Sequence, residues 1–368
     1  MGEKTKIGWT GSTWNPWIGC DRVSEGCANC YMERWAARFG RDPHEVKRSS
    51  ARVWGLPRRL AWKVRTGEME ERNVFVCSLS DFFHKGADHM RAEAWEVIRQ
   101  HPELNFQILT KRPARIERCL PEDWGEGWPN VWLGVSVESA SWISRAELLT
   151  RIPAAVRFIS MEPLVGRAFD HNALRAVLHQ GVDWVIIGGE SGAAEKVRTF
   201  HEQTALDVVE SCRAEGVAVF VKQAGALTLR LNGDLCAFKG DLTKLLSPEL
   251  LTREMPRRPA PNLHCWIEDT EGMTRKKFAE LTGLHLTTIG LRCAPHPPPC
   301  GREQAMKIHK ATGGAVSLKS LLEPEPCPRR MGSPAYSGEG DEVGPSGGGP
   351  TPTPRPNPSP TEPPRSPT

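Results

Sequence analysis

From residue 73 to residue 221 the chain alternates between short β-rich runs and helix-length amphipathic segments. The runs are NVFVCS at 73–78, NFQIL at 105–109, NVWLGVSV at 130–137, VRFIS at 156–160, VDWVII at 182–187 and VAVFV at 217–221. Segments such as 90–99, 140–151 and 202–215 lie between them and carry apolar residues at helical spacing. Strands alternating with helices of this length predict parallel βαβ units. A further strand just before Cys20 brings the count to seven. The expected fold class is therefore α/β, a partial (β/α) barrel of about six or seven parallel strands. Residues 31–39 form another helical pattern, closed by Gly40 as a C-cap.

Polar residues cluster where the runs end. Ser78, Ser80 and Asp81 follow the first of them, Thr110, Lys111 and Arg112 the second, Ser136 and Glu138 the third, and Ser160 and Glu162 the fourth. The last two end in Gly188-Gly189-Glu190-Ser191 and Lys222-Gln223. In a (β/α) barrel the C-terminal ends of the strands share one face and build the active site. Polar residues also mark where any strand stops, but that accounts less well for an acid or base closing nearly every strand. Glu138, Glu162 and Lys222 are the candidate catalytic groups. Ser78, Ser80, Asp81, Lys111, Ser136, Gly188, Gly189 and Glu190 are the candidate cofactor-binding groups.

Three thiols belong to the same end of the first strand. The stretch WNPWIGC ends in Cys20, and Cys27 and Cys30 follow in a C-x6-C-x2-C spacing. A closed structural zinc site needs four ligands, and a disulfide needs two cysteines. Three cysteines suit a [4Fe-4S] cluster that keeps one iron open for a ligand. They also suit zinc with a fourth ligand from elsewhere, such as His84 or a carboxylate. A redox C-x-x-C at Cys27 and Cys30 is a third alternative, and it leaves Cys20 unused.

Composition narrows the setting. The 368 residues are 39% hydrophobic, contain no run of about 18 apolar residues, and begin MGEKTKIGWT, without the apolar core of a signal peptide. A cytoplasmic protein with no membrane segment is expected. In that reducing compartment the eleven cysteines are buried side chains or ligands rather than a disulfide framework.

The blocks WNPWIGC, VFVCSLSDFFH, FQILTKRP, NVWLGVSVES, RFISMEPL, DWVIIGGESG and VFVKQAG, in this order over about residues 5–225, resemble the phage and prophage three-cysteine-motif proteins of unknown function. The run GCDRVSEGCANCYMERWA is similar to the cluster loops of radical S-adenosylmethionine enzymes. That resemblance implies that Cys20, Cys27 and Cys30 each ligate one iron, while S-adenosylmethionine chelates the fourth through its amino and carboxylate groups. Electron transfer from a donor would then cleave it to a 5′-deoxyadenosyl radical that abstracts hydrogen from substrate. The usual loop of that class is C-x3-C-x2-C, three residues shorter in its first interval. Its Gly-Gly-Glu after strand two is here Ser78-Leu79-Ser80-Asp81, whose Asp or Ser would take the methionine ammonium.

Beyond Gln223 the alternation stops, and residues up to 258 read as an extension that closes the barrel. Residues 273–322 carry eight Lys/Arg and two Glu, a balance of +6, although the whole chain is only +4. Nucleic-acid attraction is thus concentrated there. Residues 274–289 read as helix, Gly-containing turn and second helix, with Phe278, Ala279, Leu284 and Ile289 as the inner face. The segment REQAMKIHKATGGAVSLKSLL resembles the end of Cro-like phage repressor domains. By that resemblance the helix after Gly283 is a recognition helix, with His285, Thr287 and Thr288 toward the major groove and Arg275 and Lys276 as further DNA contacts. Such units usually act as homodimers, and a small helical oligomerisation domain is the alternative. Residues 259–322 are the expected helix-turn-helix domain. Residues 323–368, mostly Pro, Gly, Ser and Thr, are an expected disordered tail.

Overall fold

A computed structural model describes residues 2–166, 169–237, 246–256, 267, 273–286, 288–289, 300–312, 316 and 321. Seven parallel strands form one curled, half-barrel sheet in chain order. They are β1 (Ser12–Trp14), β2 (Asn73–Val76), β3 (Asn105–Thr110), β4 (Val131–Ser136), β5 (Val156–Met161), β6 (Trp184–Gly188) and β7 (Ala218–Gln223). The six runs given bounds from the sequence are present with ends shifted by one or two residues, and the seventh strand, expected just before Cys20, lies at Ser12–Trp14, six residues ahead of it. The helices α1 (Tyr31–Arg38), α2 (Leu56–Arg65), α3 (Asp88–Arg99), α4 (Ile143–Thr150), α5 (His171–His179) and α6 (Glu202–Glu215) lie between strands. The β3–β4 connection makes only short 3-10 turns at Pro113–Arg115 and Glu117–Cys119. Among the described residues no helix is long and apolar enough to cross a membrane.

Period-two alternation along each strand sorts its side chains between two layers. Val74, Val76, Phe106, Ile108, Leu133, Val135, Val185 and Ile187 face the helices and join the main core. Phe75, Trp132, Phe158, Trp184, Ile186 and Phe220 face the concave side, where with Trp9 they form a separate aromatic cluster. Trp184 is its hub, at 5.7 Å from Phe158, 6.0 Å from Trp132, 6.1 Å from Trp9 and 6.2 Å from Phe220 between ring centroids. The concave face is thus plugged toward the strand N-termini. The same alternation carries it on to Cys77, Ser136, Ser160, Gly188 and Lys222 at the other end, so the inner surface turns from aromatic to polar along the strands.

The exposed edge of β7 is covered. Thr252 and Glu254 exchange backbone hydrogen bonds with Val221 and Val219 at 2.9 and 2.8 Å, which adds an antiparallel segment there. These residues fall in the stretch read from the sequence as a closing extension; here they remove an edge open to pairing. Further along, α7 (Arg275–Thr282) and α8 (Arg302–Ala311) share a core of their own. The Thr274 side chain caps α7 by accepting from the Lys277 N–H, and Gly283 ends it in the left-handed region, φ 64°. Phe278, Ala279 and Ile289 are buried in this core with Leu284 packed against them, the inner face expected from the sequence. Buried Cys300 belongs to the same core, which accounts for its thiol without a metal. Thr287, Cys265, Cys293 and the tail at 323–368 lie outside the described residues.

Close packing inside the half-barrel depends on Gly134. A Cβ there would sit 2.3 Å from the Phe158 ring. Gly134→Ala should destabilise the fold by about 1–3 kcal/mol through overpacking. Phe158→Leu in the same chain should recover part of the loss, measured as midpoint shifts in urea unfolding. Additive losses in the double variant would contradict this account of the plug.

Candidate functional site

The WNPW block fastens the cysteine loop to the end of β2. Trp14 and Trp17 are fully buried, Trp17 against Phe82 at 5.3 Å. Between them Asn15, also buried, accepts from the Leu79 N–H at 2.7 Å and donates to Ser78 Oγ at 3.0 Å. Gly19 N–H donates to the Leu79 carbonyl at 3.1 Å, and Ser80 Oγ to the Gly19 carbonyl at 2.5 Å. Cys20 therefore leaves β1 directly over the Ser78–Asp81 turn.

The rest of the loop is pinned to β4 and β6. Ser24 Oγ donates to Glu138 Oε1 at 2.7 Å, and Glu25 accepts from Ser139 Oγ at 2.8 Å and Trp142 Nε1 at 2.7 Å. Asn29 Nδ2 donates to Glu190 Oε2 at 3.0 Å, and Arg198 spans from Glu190 to the Glu25 carbonyl. The wide first interval of the cysteine motif holds Ser24 and Glu25, which make the attachment to β4.

Cys20, Cys27 and Cys30 are half-buried, free thiols that open into one cavity of about 430 Å³. Ser78, Ser80, Asp81, Lys111, Ser136, Glu162, Gly189, Glu190 and Lys222 line it with them. Nearly every candidate read from the strand ends thus meets at one place. The two that do not line it are Gly188 and Glu138. A Cβ on Gly188 would come 2.9 Å from Glu162 Oε1, and one on Gly189 would come 2.2 Å from the Gly225 backbone. Packing accounts for both glycines. Glu138 is completely buried behind the loop, where Lys111 Nζ at 3.1 Å and Arg145 Nη1 at 2.8 Å neutralise it. That position makes Glu138 an anchor for Ser24 and keeps it from touching anything in the cavity.

Asp81 is likewise a support. Its carboxylate accepts from the Phe83 and Lys111 N–H groups at 2.9 and 3.0 Å and from Thr110 Oγ1 at 2.7 Å. Arg112 Nη1 completes the set at 3.1 Å. No lone pair is left toward a cofactor ammonium. Arg112, which the sequence places among the polar residues ending a strand run but not among the candidate site residues, belongs to the site. Its Nη1 lies 3.5 Å from Cys20 Sγ, and its Nη2 donates to the Asp21 carbonyl at 3.0 Å. Burial, with the Asp81 charge, pushes the Cys20 thiol up to about 12 against the opposing pull of Arg112. Burial also raises Cys30. Thiolate ligation at this wall needs a cation to offset that cost. Cys77, expected within a strand, instead follows β2 with φ 60° and is buried at the cavity wall.

Across the cavity, Lys222 Nζ lies 2.7 Å from Glu162 Oε1, and Trp9 Nε1 donates to Glu162 Oε2 at 3.1 Å. Burial alone would raise Glu190, but the hydrogen bonds from Arg198 and Asn29 hold its carboxyl below the usual range. His84 is spoken for at both ring nitrogens. Nδ1 accepts from the Gly86 N–H at 3.0 Å, which puts the proton on Nε2, 3.0 Å from Asp21 Oδ2. Among the described residues no group of three His, Cys, Asp or Glu side chains is drawn together closely enough to hold a single metal ion.

In the C-terminal segment Lys276 and His285 are exposed, while Arg275 and Thr288 are half-buried. What the fold and site define is a parallel α/β half-barrel with a three-thiol cavity at the carboxyl ends of its strands. The chain belongs to the family described as "Protein of unknown function (DUF5131)", whose model matches residues 4–277. That match runs past the expected barrel boundary at 258 and into α7. No curated protein matches the chain at a significant level.

The Asp81–Arg112 pair should be the costliest contact to break at this site. Asp81→Ala should destabilise the fold by about 3–5 kcal/mol, because Arg112 is left buried without its counter-charge. Arg112→Ala should then cost markedly less in the Asp81→Ala background than in the wild-type chain. Equal costs in both backgrounds, by chemical denaturation, would show that the pair is not coupled.

Proposed function

We propose that the chain is an iron–sulfur enzyme of the radical S-adenosylmethionine type. Cys20, Cys27 and Cys30 would hold three irons of a [4Fe-4S] cluster, and S-adenosylmethionine would take the fourth. One observation carries this reading: three half-buried thiols open into a single cavity at the carboxyl ends of a parallel half-barrel. The donor set suits it, since soft thiolates bind iron–sulfur clusters and three of them leave one position open. For zinc the set is a poorer fit, because His84 already has both ring nitrogens engaged.

When bound, the cluster and S-adenosylmethionine supply a one-electron reduction that initiates hydrogen abstraction. The chain's own residues do the rest. Arg112 sets a positive charge beside Cys20 and offsets thiolate character there. Ser78 and Ser80 keep hydroxyl lone pairs for the cofactor ammonium, the role that saturated Asp81 does not fill. Glu162 and Lys222 form the acid–base pair on the opposite wall and hold a proton beside the substrate. The aromatic plug beneath excludes water from below.

The reading extends to a cytoplasmic, phage- or prophage-related protein that takes electrons from a separate donor. Its C-terminal helices would bind DNA, as a homodimer, through Arg275, Lys276, His285 and Thr288.

Iron and acid-labile sulfide after anaerobic purification test the cluster. About four irons per chain, a broad visible absorbance that bleaches with dithionite, and loss of both in the Cys20→Ala/Cys27→Ala/Cys30→Ala variant are expected. Zinc in place of iron after anaerobic reconstitution would sink the proposal in favour of a zinc-stabilised DNA-binding regulator. For the module, Arg275→Ala/Lys276→Ala should weaken duplex binding and lower the salt slope of log K by about two. An unchanged slope would remove those residues from the interface.

A further inference from the structure

The helix that follows the cysteine loop has a second use on its outer face. Tyr31, Arg34 and Arg38 recur at i, i+3 and i+7 of α1 and share one side of it. Tyr31 and Arg34 also line the thiol cavity, so the strip starts inside the candidate site. Phe39 and Arg41 continue it beyond the helix end. Tyr31 is 48% exposed and Phe39 57%, unusual values for large rings. Half-buried Trp35 supports them, with its ring 4.9 Å from Phe39 and the Arg41 guanidinium 5.5 Å over its face.

The charges on this strip are not neutralised internally, although Arg38 and Arg41 lie over the Phe39 and Trp35 rings. Among the described residues Arg34, Arg38 and Arg41 form no ion pair, whereas exposed Arg48, Arg65 and Arg99 pair with Glu93, Glu103 and Asp123. The helix's own acid, Glu33, is taken up by Arg22. Three unspent arginines interleaved with exposed rings, leading into a cavity, match one class of ligand. A single strand of nucleic acid presents phosphates at intervals and unstacked bases between them. A base within a duplex does not reach into a closed cavity, and chemistry on it requires an extruded or single-stranded nucleotide.

We propose that this strip binds single-stranded nucleic acid and delivers one nucleotide of it to the thiol cavity; this names the substrate class of the enzyme reading above and rests on it. Arg34, Arg38 and Arg41 contact successive phosphates, and Tyr31 and Phe39 stack bases. The free side chains of the helix face are cationic donors and rings.

The test is fluorescence anisotropy of the full chain with a labelled oligothymidylate of about fifteen nucleotides across a salt series. Arg34→Ala/Arg38→Ala/Arg41→Ala should weaken binding about tenfold or more and reduce the salt slope by about two. Phe39→Ala should weaken it about fivefold at an unchanged slope. All variants are made in an Arg275→Ala/Lys276→Ala background, which removes the C-terminal cations assigned above to DNA; there Arg52→Ala/Arg58→Ala, which removes exposed arginines from a different helical segment, should leave binding unchanged. An equal loss in the Arg52→Ala/Arg58→Ala control, or full binding in the triple-arginine variant, would overturn the strip. In that background, tighter binding of a duplex than of either oligothymidylate or oligouridylate would overturn the assignment to a single strand. Oligonucleotide binding requires no cluster. Persistent binding in a chain that assembles no iron therefore refutes the enzyme reading alone, while an iron-loaded chain that ignores the oligonucleotide refutes the strip alone.

Discussion

A single buried carboxylate holds the candidate site in register. Asp81 collects Thr110, Lys111 and Arg112 from the end of β3, and through Arg112 it reaches Cys20 and Asp21 at the end of β1. Three consecutive strand ends and the first thiol are thereby fixed to one anion in a poorly solvated place. Such a charge is tolerable only when paired and fully hydrogen-bonded, and that condition is met here. The other attachments of the cysteine loop, to Glu138 on the β4 side and to Glu190 after β6, use the same device. In each a carboxylate at the barrel mouth is neutralised by an arginine or lysine and spends its remaining lone pairs on loop donors.

This arrangement separates support from chemistry among acids that look alike in the sequence. Asp81, Glu138 and Glu190 are spent on positioning. Glu162, paired with Lys222 and Trp9 at the cavity surface, remains available to a ligand. The aromatic cluster beneath them sets the depth of the cavity, because Phe75, Trp132, Phe158, Trp184 and Phe220 fill the concave face toward the strand N-termini. A ligand is held near the thiols for that reason, and the only side chains of the upper wall on the concave face of β4 to β7 are small or polar.

Much of the fold was legible in the pattern. The β-rich runs and the spacing between them placed six of the seven sheet strands within a residue or two, since local propensity and burial agree there, while β1 was expected only as a strand before Cys20. The convergence of the strand ends was legible as well, because parallel strands in one sheet must present their carboxyl ends on one side. The inner face of the C-terminal helices, Phe278, Ala279, Leu284 and Ile289, followed from helical spacing alone. The roles of the acids were not legible. Glu138 and Glu162 both follow a strand by two or fewer residues, and only the tertiary packing of Ser24, Lys111 and Arg145 shows that one of them is sealed off.

By itself the sequence determined the parallel half-barrel, the three-thiol loop at its mouth and the ring of polar strand ends around it. These depend on periodicity and on spacing along the chain, which one strand of text records in full. The tertiary structure decided that Arg112 stands against Cys20, 92 residues away, that Asp81 has no lone pair left for a cofactor, and that the free face of α1 opens from the cavity. Those facts depend on which charges neutralise one another across the mouth. Pairing of that kind is set by distances between strands, and no local pattern encodes it.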